Sequence, residues 1–342
     1  MTDALAPVEE ALAESAARRG RGGSTLRYVA GKLGGALASL FLVVVLGFLL
    51  FRVIPGDPVL SMTRGRPVTA DQQAELRARL GVDRPLLQQF LDYLGRLARG
   101  DLGTSYVYSR PVGELIAERL GPTLLLVGTS TIIAVILGLW LGIKGAWRRG
   151  SRFDRVSTGV SLTLWSMPTF WLGLLLMIAT GNLFPSGGIR YPDTPPDFLS
   201  QALDTAHHMV LPCLTFVAVI YAQYLLVMRS SLLEEMNADY LTTARAKGLR
   251  DDLVRRRHAV PNALLPTVTL VFLHLGLVVS GAITVETVFS WPGLGLLTYE
   301  ALQGPDLPLL QGIFIVLTGS VVAMNVIADL LYRVLDPRVR AA

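Results

Sequence analysis

The chain has 342 residues, 51% of them hydrophobic and 17% charged, with 31 Lys and Arg against 26 Asp and Glu. An average soluble domain carries about 25% charged residues and scatters its apolar ones at short periods; here they form long charge-free blocks, which excludes an ordinary soluble domain. One cysteine, Cys213, excludes an intrachain disulfide, and the basic balance comes without basic patches interleaved with aromatics, which argues against nucleic acid as a partner.

In chain order, residues 1–27 are rich in Ala, Gly, Glu and Arg and are expected to form a mobile cytoplasmic tail. The first charge-free block, Leu33–Phe51, runs into F-R-V-I-P-G-D-P, where Pro and Gly stop a helix at the membrane surface. It lies behind about thirty residues and lacks a small-x-small cleavage site, so it reads as a span and not as a cleaved signal. Residues 55–120 read as an external segment of short amphipathic helices. Thr69 with Gln72 matches a capping box ahead of Leu76 and Leu80. Pro85 opens a helix striped by Leu87, Phe90, Leu91 and Leu94, Gly100–Ser105 is a loop, and Val112, Leu115, Ile116 and Leu120 form a third stripe.

Five further blocks follow: Gly121–Ile143, Val156–Ile189, Met209–Met228, Ala259–Val285 and Leu307–Ala328. Each reaches or approaches the ~20 residues that cross a bilayer as a helix. Val156–Ile189 is too long for one simple span, and Pro168 is where a kink is expected. The predicted fold is an all-α integral membrane protein with six spans, near 33–54, 121–143, 160–184, 209–232, 262–289 and 308–332. Ser290–Gly295 (S-W-P-G-L-G) reads as a turn leading to a short helix that dips back toward the spans.

Lys and Arg set the orientation. Lys32, Lys144, Arg148, Arg149, Arg229, Arg245, Lys247, Arg250, Arg255, Arg256, Arg257 and Arg333 fall in segments that share one side, whereas Tyr191–His208 and Trp291–Asp306 contain neither residue. The positive-inside bias therefore puts both termini in the cytoplasm.

The loop over 233–261 carries the sharpest functional signal. Thr243, Ala244, Arg245, Ala246, Lys247, Gly248 and Leu249 combine little side-chain bulk with alternating positive charge, which suits close approach by another protein. An ordinary basic loop is the competing reading. The longer stretch D-Y-L-T-T-A-R-A-K-G-L…H-A-V-P-N-A-L-L-P resembles the coupling loop of binding-protein-dependent ABC permeases, closest to the B-type subunit of dipeptide/oligopeptide importers. Phe51–Pro58, Gly100–Ser105, Ser109–Leu120, Phe289–Gly295, Asp306–Gly312 and Asp336–Arg340 are similar to the same subfamily. The family's Glu-Ala-Ala pattern is replaced by Thr242, Thr243 and Ala244, as is usual for the peptide branch.

That resemblance implies a division of labour. A second, C-type permease subunit would complete the pathway, one or two ABC ATPase subunits would bind ATP and Mg, and an extracytoplasmic binding protein would deliver peptide. Consistent with a borrowed engine, the chain contains no G-x-x-x-x-G-K-[ST] phosphate loop, and no cofactor is expected in it. It also lacks H-E-x-x-H and G-x-S-x-G, so no enzymatic reading is supported. Nickel or oligosaccharide cargo within the same family, and an ATP-independent secondary carrier, are the alternatives.

Among polar residues in the spans, Tyr221, Gln223, His274, Ser280 and Asn325 either line a pathway or join helices. For His274 a helix–helix hydrogen bond is the favoured reading. Glu286 and Asp329, near span ends, are expected at the interface. His207 and His208 are expected there too, and not as a metal pair. Gly138-x-x-x-Gly142 permits close helix packing.

Overall fold

The computed structural model describes residues 29–51, 69–80, 84–181, 183–278 and 283–335; the expected tail over 1–27 and Ser280 lie outside them. Apart from one isolated bridge between Thr104 and Pro111, these residues form helices joined by turns. In chain order they are α1 (Val29–Phe51), α2 (Ala70–Leu80), α3 (Leu86–Leu97), α4 (Val112–Trp147), α5 (Arg152–Trp165), α6 (Thr169–Thr180), α7 (Phe198–Glu235), α8 (Asp239–Ala246), α9 (Asp251–Val254), α10 (Val260–Val278), α11 (Ile283–Val288), α12 (Leu294–Gln303) and α13 (Leu307–Leu335).

Four of them, α1, α4, α7 and α13, are long and apolar enough to cross a membrane. The pair α5 and α6 makes up to a fifth, bent by 106° at its break. Pro168 explains the break: it has no N–H to give a continuing helix and forces the residue before it out of helical geometry. The span expected over 262–289 falls on α10 and α11, with residues 279–282 between them outside the description. The fold is thus an all-helical membrane protein with four to five candidate spans.

The core is the crossing of α4 on α7. A Cβ on Gly138 would lie 2.6 Å from Tyr224 Cβ and 2.7 Å from the Tyr221 carbonyl, and one on Gly142 would lie 2.7 Å from the Leu225 carbonyl. Only glycine allows this approach, which replaces hydrophobic drive with van der Waals contact where lipid is the solvent. Around the crossing Leu126, Val127 and Ala134 of α4 pack with Leu211, Val217 and Leu225 of α7 and with Phe289 and Trp291. Ser130 and Thr215 return their hydroxyls to the Leu126 and Leu211 carbonyls, so their polarity is spent inside their own helices.

At one end of α7 a charge pair locks the crossing. Arg229 donates to Asp154 at the start of α5 through Nε (2.7 Å) and a terminal nitrogen (2.9 Å), and Gly150 N–H adds a third bond (3.0 Å). The Asp154 side chain is 4% exposed. Gly145 of α4 leaves it room, since a Cβ there would meet Asp154 Oδ1 at 3.2 Å.

Two buried carboxylates pin the other end. Glu286, near a span end, is 0% exposed within the protein. It accepts from the Thr123 hydroxyl (2.9 Å) and from the N–H groups of Gly295 (2.6 Å) and Leu296 (3.2 Å), capping α12 with its charge at the helix N-terminus. Thr123 accepts from Leu294 N–H, and the Trp291 indole donates to the Pro122 carbonyl. Gly293 and Gly295 sit where any Cβ would strike the Glu286 carboxylate, which accounts for both glycines of S-W-P-G-L-G. Asp306 similarly accepts from the Ser105 hydroxyl (2.5 Å) and from the N–H groups of Tyr106, Val107 and Leu309. It ties the loop over 100–105 to the head of α13.

The stripe Val112, Leu115 and Ile116 belongs to no separate helix. It opens α4, which runs on through Pro122, and packs on Leu294, Leu297, Leu309 and Ile313. Thr69 and Gln72 make both bonds of a capping box on α2. On α3, Phe90 and Tyr93 stack near Phe48 of α1, at 5.2 and 5.6 Å between ring centres, while Leu86, Leu87 and Leu91 face outward. Asp329 pairs with Lys32 of α1 at 2.6 Å.

Two measurements test this core. Gly138→Ala should lower stability by about 1–3 kcal/mol through overpacking, whereas Gly128→Ala, with open space around it, should not; unfolding midpoints in detergent compare them. Asp154→Asn alone strands Arg229 and should cost about 3 kcal/mol, yet the double variant with Arg229→Met should cost clearly less than the two single losses combined.

Candidate functional site at the basic end

The short helix α8 follows α7 after a three-residue connection, Met236–Ala238. Asp239 in its first turn and Arg245 in its last suit the helix dipole. It stops at Gly248, whose φ of 82° only glycine adopts without strain. Gly248 N–H donates to the Arg245 carbonyl (2.9 Å) and Leu249 N–H to the Ala244 carbonyl (3.3 Å), the bond pair of a Schellman stop. Glycine at this position is therefore required by the helix end. A Cβ there would meet nothing within 4 Å, so the surface beside it is open.

One face of α8 is sunk into the protein. Leu241 is fully buried and Ala244 is 7% exposed, packed with Ala146 of α4, Met228 and Leu232 of α7, Val254, Ala259 and Ala263. The Tyr240 hydroxyl donates to Glu235 at the end of α7 and accepts from Asn262 Nδ2 (2.8 Å) at the start of α10. Arg245 pairs with Asp251 at 3.2 Å. The opposite face, Thr242, Thr243, Arg245, Ala246, Lys247 and Gly248, is exposed, with Leu249 half-buried. Of the predicted contact residues, Ala244 and Leu249 thus serve the mount and the others form the outer surface.

The candidate pathway residues do not form one group. Tyr221 is 5% exposed inside the central cluster. Gln223, two positions on, is half-buried, and a two-residue step puts it on a different side of α7. His274 joins α10 to α7 through Nδ1 and the Tyr224 hydroxyl at 2.9 Å, a helix–helix hydrogen bond. Asn325 is exposed on α13. Sequence reading passed over Tyr224, the Asp154–Arg229 pair, Thr123 and Asp306; a buried charge opposite a distant arginine leaves no local signal.

His208 is buried, with Nδ1 3.0 Å from Asp204 Oδ1, and the His207 and His208 ring centres are 6.4 Å apart. Among the described residues no group of three or more His, Cys, Asp or Glu is placed to hold a metal ion. On the opposite end, burial pushes the Tyr108 hydroxyl up to about 12, reinforced by Glu300, to which it donates at 2.8 Å. It therefore remains a donor throughout the physiological range.

Comparison with known proteins agrees across the chain. Residues 134–341 match the family described as binding-protein-dependent transport system inner membrane component, and residues 25–127 match its N-terminal membrane-component family. The chain is 37% identical over 335 residues to the dipeptide transport system permease protein DppB of Escherichia coli K12, covering 92% of this chain and 99% of the relative. It is 41% identical over 322 residues to a putative peptide permease protein of Brucella suis biovar 1, with the same coverage. The glutathione transport system permease protein GsiC of Salmonella choleraesuis is 37% identical over 315 residues, again with 92% and 99% covered. A chain from the inward-facing MetNI methionine ABC transporter superposes with a TM-score of 0.52 at 19% identity, covering 65% of this chain and 96% of that one, and shares the fold. The protein belongs to the binding-protein-dependent transport system inner membrane component family, as a multi-pass permease subunit of a bacterial ABC importer.

Proposed function

We propose that this subunit forms half of a translocation pathway for di- and oligopeptides and takes its drive from an ATPase subunit seated on the outer face of α8. The observation that carries the reading is the asymmetry of that helix. Its inner face is bound into the ends of α4, α7 and α10, while its outer face is small, cationic and open. A push on such a surface reaches the spans directly. The peptide cargo is supported by the relatives, named for dipeptide, peptide and glutathione transport. Peptide choice belongs to a binding protein, because a pathway that passes varied sequences reads only backbone and size.

The rest of the assembly follows from this reading. Six spans, with α5–α6 as the third and α10 continuing toward α11 as the fifth, place both termini and the 233–261 loop in the cytoplasm. They leave the segment over 55–120 outside, where it meets the binding protein. A C-type permease completes the pathway, and one or two ATPase subunits hold ATP and Mg. Tyr221, Gln223, His274, Ser280 and Asn325 are the polar candidates along it. Closure of the ATPase pair then moves the spans as rigid bodies between two states.

Ala246→Trp tests the docking surface, since the site is exposed and the change leaves the mount intact. Membrane abundance should stay normal while ATP-driven peptide uptake falls by about tenfold or more; normal uptake would refute the assignment. In proteoliposomes holding the whole complex, removing ATP should stop uptake. Continued uptake on an ion gradient would instead identify a secondary carrier.

A further inference from the structure

Beside α8, where α4 ends, a cavity of about 450 Å³ opens between the last turns of α4 and the start of the α10 segment. Its wall includes Lys144 and Arg148 from α4, Arg255 and Arg256 from across the cleft, and the indoles of Trp140 and Trp147. Arg255 and Arg256 lie in a five-residue π-turn, Arg255–Ala259, between α9 and α10. Such turns are costly and tend to mark functional positions.

The cations are held by rings. The Lys144 ammonium lies 4.7 Å from the Trp140 ring centre and 4.5 Å from that of Phe153, and the Arg255 guanidinium lies 5.7 Å from Trp147. No Asp or Glu lines the cavity. Three other arginines at this end are ion-paired, in Asp154–Arg229, Arg245–Asp251 and Arg250–Asp252. A π-face positions a cation without consuming its N–H donors. Four basic side chains gathered around one cavity with no counter-charge in its wall make an anion-binding site.

The surroundings say which anion. Ile132, Ile136 and Trp140 follow one another at four-residue steps up α4 and are 62%, 63% and 54% exposed, so the cavity opens onto an apolar stripe. Beyond the Trp140–Lys144–Phe153 stack lies a second, mainly apolar cavity of about 460 Å³, walled by Leu141, Phe153, Val156, Val160 and Tyr221 with Arg152 and Ser157 at its polar edge. A soluble phosphate has no use for either surface, whereas acyl chains do. We propose that the basic cavity holds the phosphate of an anionic glycerophospholipid from the leaflet on the basic side, its tails lying along these apolar surfaces.

The test uses the intact importer complex, delipidated in detergent and titrated with phosphatidylglycerol, phosphatidylcholine or inorganic phosphate, with bound lipid read by native mass spectrometry. Three forms are compared: wild type, the cavity variant Lys144→Gln/Arg255→Gln/Arg256→Gln, and a control, Arg149→Gln/Arg250→Gln/Arg257→Gln, that removes the same charge outside the cavity wall. Phosphatidylglycerol should bind wild type and control in preference to phosphatidylcholine, and the cavity variant should lose that affinity by about tenfold or more. Lys144→Arg/Arg255→Lys/Arg256→Lys should restore it, which excludes misfolding as the cause. Equal losses in cavity and control variants would reduce the effect to general surface charge and overturn the proposal. So would equal retention of phosphatidylcholine, or displacement of phosphatidylglycerol by equimolar inorganic phosphate. Loss of a partner subunit with lipid binding unchanged would make this face a protein contact, and would overturn it equally.

Discussion

The contact of α4 with α7 at Gly138 and Gly142 is the constraint on which the remaining structure depends. In lipid, apolar side chains gain nothing by leaving the solvent, so helices associate through close packing and polar bonds. The two glycines bring backbone to backbone, and the pair of buried Asp154 with half-buried Arg229 fastens α5 to the same end of α7. Ala146, Met228 and Leu232 then stand in register at the end of this pair, and they are the bed into which Leu241 and Ala244 of α8 sink. The lever proposed for ATPase coupling is consequently an extension of the most tightly packed part of the subunit.

The ends of the bundle follow one rule, that a charge taken out of water must be matched completely. Glu286 caps α12 and Asp306 caps α13, and each also reaches a residue far away in sequence, Thr123 and Ser105 respectively. These carboxylates bind connections to spans so that the connection moves with its helix. A transporter that alternates between two states needs such rigid pieces, because packed cores switch between arrangements and do not deform smoothly. The basic cavity beside Trp140 and Trp147 gathers four cations with no acid in its wall, which is why a lipid phosphate is the inferred match.

Much of this was readable in the chain itself. Four of the six charge-free blocks fall on helices long enough to cross a membrane and a fifth on the bent α5–α6 pair, Thr69 and Gln72 announce a capping box, and Gly138-x-x-x-Gly142 announces a close crossing, because each is a local pattern with a local cause. Gly248 was legible as a special residue, though its reason is the helix stop. What stayed hidden depends on partners distant in sequence. The burial of Glu286 shows only once the glycines after Trp291 are folded back onto it. Ala244 looks like open surface until α4 and α7 supply its neighbours. Pro168 signalled a kink, but not the size of the 106° turn. The stripe over 112–120 suggests a short external helix apart from the block that follows, whereas in the structure the two are one helix, α4, with Pro122 inside it.

The central claim is that α8 moves with α4 and α7 as one body. Spin labels at Thr242 on α8 and at Gly128 on α4, in the assembled importer, measure this directly by pulsed dipolar spectroscopy with and without ATP. The account predicts an unchanged distance within the subunit while the distance between the two permease subunits shifts. A change between Thr242 and Gly128 with the subunits fixed relative to each other would contradict it.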